Sequence, residues 1–278
     1  MEGAHASIRR NAGRGRGVLF PARLPTFRRL NPPPSVADLV RWFWIPEWDL
    51  PEGRASRQHL IAHPALNVVV ECGDLAPSGM VGLSGPTTRA SHRDLTGCGW
   101  AVGALLRPAA TPLFVQDPRA LVDEYVELDL PDLREPVVTA MAQPGRAGER
   151  HHRAVGAFTT WLADRGPRPN GQALLANRLA DVINLDHEVL RVQDAAERVG
   201  VSVRTAQRLT YRHVGLSPGA MIRRRRLQEC AERLRLDATP DIATLAAELG
   251  YSDHAHLTRD FRATLGVTPS GYRHVAPG

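Results

Sequence analysis

The last third of the chain repeats itself. Ala196, Val199, Gly200, Val201 and Ser202 stand at the same spacing as Ala246, Leu249, Gly250, Tyr251 and Ser252. Downstream, Arg208 with Val214-Gly215-Leu216-Ser217-Pro218 is echoed by Arg259 with Leu265-Gly266-Val267-Thr268-Pro269. The first echo is offset by 50 residues and the second by 51, which puts one additional residue into the second copy near Ser252-Asp253. Each copy places a small residue where two helices cross (Ala196, Ala246) and, four residues on, a glycine for a turn at positive φ (Gly200, Gly250). Each then supplies a cap for the next helix: Ser202 in the first, Ser252 or Asp253 in the second. This order describes a helix-turn-helix, whose second helix lays its first turns against base edges in the major groove. Two copies in tandem restrict the segment to an all-α, two-headed unit and imply double-stranded DNA as its partner.

The candidate base-reading residues follow from helical spacing. Arg204, Gln207 and Arg208 fall on one face of the first recognition helix, where they can donate to guanine or engage adenine. Val203, Ala206, Leu209 and Thr210 face inward. On the second helix His254, Ala255, Thr258 and Arg259 offer a less charged face. His256 either points to DNA or packs internally. Arg259 is either a phosphate clamp, the preferred role, or an intramolecular ion-pair partner. Ser217-Pro218 caps and opens a bridging helix that can run to Leu236, a length of about 28 Å. It carries Arg223-Arg224-Arg225-Arg226, which fan out through about 300°. One or two of these reach phosphates and the rest face solvent.

Charge agrees with a polyanionic partner. The 278-residue chain has a formal net charge of +6, and all 35 of its basic residues are arginine. Residues 191–278 hold 14 arginines against 9 acidic residues, so most of the excess sits on the repeat. The three cysteines form no C-x-x-C pair, which removes zinc-finger and thioredoxin-like readings and fits a reducing cytosol. No apolar run approaches the roughly 18 residues of a membrane helix, and no signal-peptide core is present, so a cytoplasmic location is expected. Residues 1–30 read as a basic tail, disordered at least to residue 17 or the product of an over-long start.

Residues 31–143 read as β-rich. Short apolar runs at Trp42–Ile45, Leu66–Val70, Gly79–Leu83 and Trp100–Leu106 alternate with Gly and Pro turns, as in a barrel or double-sheet sandwich. A short helix is expected around Pro118–Val126. Residues 144–184 read as a helical connector or dimerising element with helices at 149–164 and 171–184, and 185–278 as the DNA-binding domain. The fold class is therefore α+β in two domains. His59, His63 and His92, with Glu71 and Asp74 nearby, lack the spacing of a metal site. No nucleophile elbow, P-loop or dinucleotide fingerprint occurs, so no catalytic residue, metal or cofactor is expected and the chain does not read as an enzyme. Trp42, Trp44, Trp48 and Trp100 either line an effector pocket or pack in the core.

The stretch Gly250-Tyr251-Ser252-Asp253-His254-Ala255-His256-Leu257-Thr258-Arg259-Asp260-Phe261-Arg262, followed by Leu265-Gly266-Val267-Thr268-Pro269 and Tyr272-Arg273, resembles the C-terminal signature of AraC/XylS-family transcription regulators. The resemblance covers about 90 residues. It implies two recognition helices entering successive major grooves on one side of the duplex, with Arg204, Gln207, Arg208, His254, Ala255, His256 and Arg259 at the base-contacting positions. Two departures bear on this: Ala206 and Thr210 are smaller than the family's usual apolar residues, and Ala255 replaces a commonly polar one. The β-rich part is similar to the cupin-like sensor modules of such regulators. That implies a small-molecule effector, RNA polymerase as a partner if the protein activates, and a possible homodimer. The competing readings are a metal-dependent cupin enzyme carrying a DNA-binding tail and a β domain that only dimerises.

Overall fold

The structure is a computed structural model that describes residues 26–60, 63–74, 76–166, 168–236 and 241–275. Its first half is built from strands β1 (Thr26–Leu30), β2 (Val40–Asp49), β3 (Ala55–Leu60), β4 (Asn67–Gly73), β5 (Ala76–Ser84), β6 (Ser91–Thr96), β7 (Cys98–Leu106) and β8 (Tyr125–Leu128). Six of them form a sheet of order β1-β2-β7-β4-β5-β8, and β3 pairs with β6 as a separate ribbon. All the strand pairs are antiparallel. The helices are α1 (Pro131–Ala142), α2 (Ala147–Ala163), α3 (Gly171–Leu185), α4 (Val192–Val199), α5 (Val203–His213), α6 (Pro218–Leu236), α7 (Ile242–Glu248), α8 (His254–Leu265) and α9 (Pro269–Val275).

The four apolar runs fall on β2, β4, β5 and β7, as their residue types require. Alternation puts Phe43, Ile45, Val68, Val70, Val81, Leu83 and Val102 on one face of the large sheet, all buried. Leu133 and Val137 of α1, with Val155, Phe158 and Leu162 of α2, close the same core. The region expected to hold a short helix contains a 3-10 turn at Pro118–Leu121 and then the edge strand β8. The strand β1 lies inside the stretch assigned to the tail and pairs with β2 from Thr26 to Leu30. Residues 1–17 lie outside the described residues.

Between the two halves, the expected connector divides. Helix α2 belongs to the sheet's core, whereas Ala176, Leu179, Ala180 and Ile183 of α3 pack with α4 and α5. Helix α3 is also fastened to the β domain. Its Asn177 accepts from Ala109 N at 2.9 Å and donates to Asp38 O at 2.8 Å, and its Asp181 pairs with Arg41 at 3.1 Å and with Arg107.

The bridging helix α6 joins two small cores. Met221 and Ile222 on its first half pack with α3, α4 and α5; Leu227, Cys230, Ala231 and Leu234 on its second half pack with α7 and α8. Each core is small, so its stability depends on the bridge that completes it.

The four consecutive arginines of α6 correct the sequence expectation. They do fan out, but only Arg223 is exposed. Arg225, 1% exposed, donates to Asp186 O at 2.8 Å and Val189 O at 2.6 Å, tying the α3–α4 turn to the bridge. Arg224 donates to Thr87 Oγ1 at 2.6 Å and Arg89 O at 3.2 Å, across to the β domain. Arg226 lays its guanidinium 3.9 Å from the centre of the Tyr251 ring, in the second unit's turn. Sterics decide this outcome: a helix buried on nearly every side sends successive side chains to different neighbours, where carbonyls, a hydroxyl and a π-face can receive a guanidinium in place of phosphate.

At the docking surface between α5 and the β domain, Thr111 Oγ1 donates to His213 O at 2.6 Å, and His213 Nδ1 donates to Pro108 O at 3.3 Å. Burial holds the His213 imidazole below its usual pKa, outweighing the Pro108 carbonyl that raises it; Arg212 lowers it further.

Two predictions follow from this packing. Arg225→Met should cost about 3 kcal/mol, because two charge-assisted bonds vanish and their carbonyls stay buried. Arg223→Met should stay within about 0.5 kcal/mol. Urea unfolding of the pair measures the contrast, and equal losses would refute the placement. The second concerns His213. A depressed folded pKa means its contribution is complete above the ordinary imidazole pKa and is lost as pH falls through the folded value. Stability should therefore drop between pH 7.5 and 5, and His213→Gln should lessen the drop in the same titration.

Candidate nucleic-acid interface

The two turns have the geometry the repeat requires. Gly200 (φ +72°) and Gly250 (φ +73°) are both left-handed, and Ala196 and Ala246 are buried where the helices cross. The next residue's amide returns to the crossing alanine in each copy: Val201 N to Ala196 O at 3.0 Å, Tyr251 N to Ala246 O at 2.9 Å. Ser202 Oγ accepts from Thr205 N at 3.2 Å and caps α5. In the second copy the cap is Asp253, whose Oδ1 accepts from His256 N at 2.7 Å. Ser252 is therefore the additional residue, bonding instead to Asp253 Oδ2 and to His256 Nδ1, each at 3.2 Å.

The caps set the register between the recognition helices. Ser202 matches Asp253, so Arg204 matches Ala255, Gln207 matches Thr258 and Arg208 matches Arg259, all at an offset of 51. On α5, Arg204, Gln207 and Arg208 are exposed, while Ala206, Leu209, Thr210 and His213 are buried on the opposite side. The small residues do not leave the first core unsatisfied, because the Thr210 hydroxyl donates to Gln207 O at 3.1 Å. On α8, His254, Ala255 and Arg259 are exposed, Thr258 is half-buried, and Leu257, Phe261 and Leu265 fill the core.

The two open residues are now placed. The His256 ring sits edge-on to Tyr251, with centroids 5.1 Å apart, and bonds Ser252; it serves the turn although it is exposed. Arg259 makes no ion pair among the described residues, which leaves its charge available to a ligand. By contrast Arg198, Arg233 and Arg119 are all paired with carboxylates.

Two residues escaped the sequence reading. Tyr211, 45% exposed, lies seven positions after Arg204 and continues the α5 stripe toward the helix's end. Arg262, also exposed, is its counterpart on α8 at the same offset of 51. Extending the stripe by one more turn would have found both.

A family model for a helix-turn-helix domain matches residues 195–274, and one for a domain of unknown function (DUF6597) matches residues 28–127. The multiple antibiotic resistance protein MarA of Salmonella typhimurium is 33% identical over 108 residues, covering 38% of this chain and 84% of MarA. The chain belongs to the AraC/XylS family of transcription regulators. The HTH-type transcriptional activator RhaS of Pectobacterium carotovorum is 33% identical over 81 residues, and this AraC/XylS member spans only 29% of that relative's length. The structure of ToxT from Vibrio cholerae aligns over 89% of this chain and 100% of its own, at 10% identity and a TM-score of 0.43, too distant to bear on function. The helix-turn-helix match falls on the C-terminal part of this AraC/XylS chain, and the matched β module carries no functional name.

Space around the two turn glycines separates them. A Cβ on Gly200 meets nothing within 4 Å, whereas one on Gly250 meets Leu190 Cδ1 at 3.0 Å. Gly200→Ala should cost about 1 kcal/mol for the left-handed backbone alone. Gly250→Ala should cost measurably more, since Leu190 must also move. Chemical denaturation of both variants checks the order, and equal costs would argue against the packing of Leu190 on the second turn.

Proposed function

We propose that the protein is a sequence-specific transcription regulator that binds double-stranded DNA with both helix-turn-helix units and responds to a small molecule through its β domain. One observation carries this reading: two recognition helices, capped in matching register, each present an exposed stripe centred on an arginine, Arg208 or Arg259. Arg204, Gln207, Arg208, His254, Thr258 and Arg259 would meet bases or phosphates, joined by Tyr211 and Arg262; His256 would act through the turn. Phosphate contacts supply affinity and salt dependence, and base contacts supply sequence choice. The DNA-binding module takes in α3 and begins near Gly171, and the regulatory module takes in α2 and ends near Ala163. RNA polymerase contact, if the protein activates, homodimerisation and a cytoplasmic location belong to the same reading. Among the described residues no helix is long and apolar enough to cross a membrane.

The contacts between the halves support the regulatory part. The segment of residues 85–90, between β5 and β6, straps the β domain to the DNA-binding half. Thr87 and Arg89 hold Arg224 of α6, and Ala90 N donates to Thr264 O on α8 at 2.6 Å. The strap is itself braced by Asp123, at φ +62°, whose carboxylate accepts from Thr88 N and Oγ1, each at 2.6 Å. Burial lowers the Arg224 guanidinium to about 10, opposed by Asp123, so it remains charged at neutral pH. A ligand that favours one position of the strap would favour one position of α6 and α8, and hence one DNA affinity.

Sequences selected from random DNA, followed by gel retardation across salt concentrations, test the function. A retarded complex that weakens steeply with salt is expected. Arg208→Ala should weaken the selected site by about 1–3 kcal/mol and relax preference at one base. Absence of any complex at low salt would overturn the proposal; an equal loss on all sequences would make Arg208 a phosphate contact.

A further inference from the structure

At the end of the large sheet farthest from the strap, β2, β4 and β7 border an open cleft of about 710 Å3, within the size range of small-molecule sites. Its lining is unlike the rest of the molecule. The chain carries 35 arginines and a net charge of +6, yet among the described residues no basic residue lines the cleft. Three carboxylates do: Glu47, Asp49 and Asp74. Glu47 is answered from α2 by Arg150 at 2.8 Å and His151 at 2.6 Å. Asp49 and Asp74 are exposed and make no ion pair among the described residues.

Two indoles, Trp48 and Trp100, complete the walls. Trp48 is fixed in place. Its Nε1 donates to Thr96 O at 3.1 Å, and its ring covers the paired glycines Gly73 and Gly99, where a Cβ on Gly99 would strike it. One face of the ring is thus spent on the backbone, and the indole is held rigid before any ligand arrives. A pinned indole beside two carboxylates that meet no cationic side chain among the described residues, Asp74 accepting only from Cys98 Sγ at 3.9 Å, favours a cation, because the ring's quadrupole and the carboxylates attract the same charge. The size of that cation follows from spacing: although the cleft also holds Cys72 and Cys98, no three His, Cys, Asp or Glu side chains among the described residues converge closely enough to hold a metal ion. A larger, weakly hydrated cation suits separated carboxylates and an aromatic wall.

We propose that this cleft binds an organic cation with an apolar or aromatic body, such as a quaternary or protonated amine, and that this cation is the effector. The second part rests on the reading of the β domain as a sensor. Connectivity links the cleft to the heads. β5 starts at its rim, where Pro77 lines it, and ends at Ser84 before the strap. β6 leaves the strap at Ser91 and ends at Thr96, whose carbonyl holds the Trp48 indole. Both strands therefore run from the cleft to the residues that grip α6 and α8.

The test uses the full chain, benzyltrimethylammonium as the probe, and benzyl alcohol and benzenesulfonate as its neutral and anionic counterparts. Calorimetric titration should show binding of the cation alone, weakened at least tenfold by Asp49→Asn with Asp74→Asn. Both substitutions are nearly isosteric and solvent-facing, so an unchanged melting temperature confirms that the variant is folded. Binding of all three probes alike, or cation binding indifferent to the double substitution, would overturn the proposal. Gel retardation of the selected DNA, with and without the cation, keeps the two readings apart. No cation binding with normal retardation sinks the cleft proposal and leaves the regulator. Cation binding with no retarded DNA sinks the regulator and the effector role, and upholds the cleft as a cation site. A shift in DNA affinity with the cation, abolished by the double substitution, supports both.

Discussion

The arrangement of the DNA-binding half depends on burial of arginine along α6. A helix that bridges two cores too small to stand alone must be held by both, and apolar contacts hold only its two ends, through Met221 and Ile222 and through Leu227 to Leu234. At the centre, three guanidiniums do what a third apolar patch would do, but with direction. Arg225 fixes the first unit, Arg226 the second and Arg224 the β domain. Carbonyls, a hydroxyl and a ring face receive these guanidiniums, and the charges of Asp123 on Arg224 and of Asp260 on Arg226 offset part of the cost of burial. The relative position of the two recognition helices is thus set by a few bonds of defined geometry, two of which, from Arg224, cross to the β domain.

That placement gives the excess positive charge two roles. Arg224, Arg225 and Arg226 are structural, whereas Arg204, Arg208, Arg259 and Arg262 remain exposed on the recognition faces. Counting basic residues along the sequence cannot separate them. Burial does, and burial is decided by partners far away in the chain, such as Thr87 and Asp186.

The repeat was legible because it is local. Small residue, left-handed glycine and cap act within a few residues, so Ala196, Gly200, Ser202, Ala246 and Gly250 could be read without tertiary information. The choice between Ser252 and Asp253 could not, since both cap equally well in sequence and the inserted residue decides between them. In the β domain the apolar strands were visible, but the β3–β6 ribbon was not: its residues Ser56, Arg57, Gln58, His92, Arg93 and Asp94 are polar on both faces and pair because the chain returns there. Helix α1 falls inside the stretch read as β-rich; its Pro131 stands where a helix tolerates proline, while Pro136 lies within it. The role of α3 as a member of both halves rests on Asn177 and Asp181, whose partners lie more than 60 residues away.

Family membership, matched caps and exposed arginine stripes converge on one geometric claim: both heads engage the same face of one duplex. Hydroxyl-radical footprinting on a selected site tests it most directly. Two protected patches on one side of the DNA, about one helical turn apart, are the expected result, in keeping with a bridging helix of about 28 Å. A single patch, or two patches on opposite sides of the duplex, would contradict it.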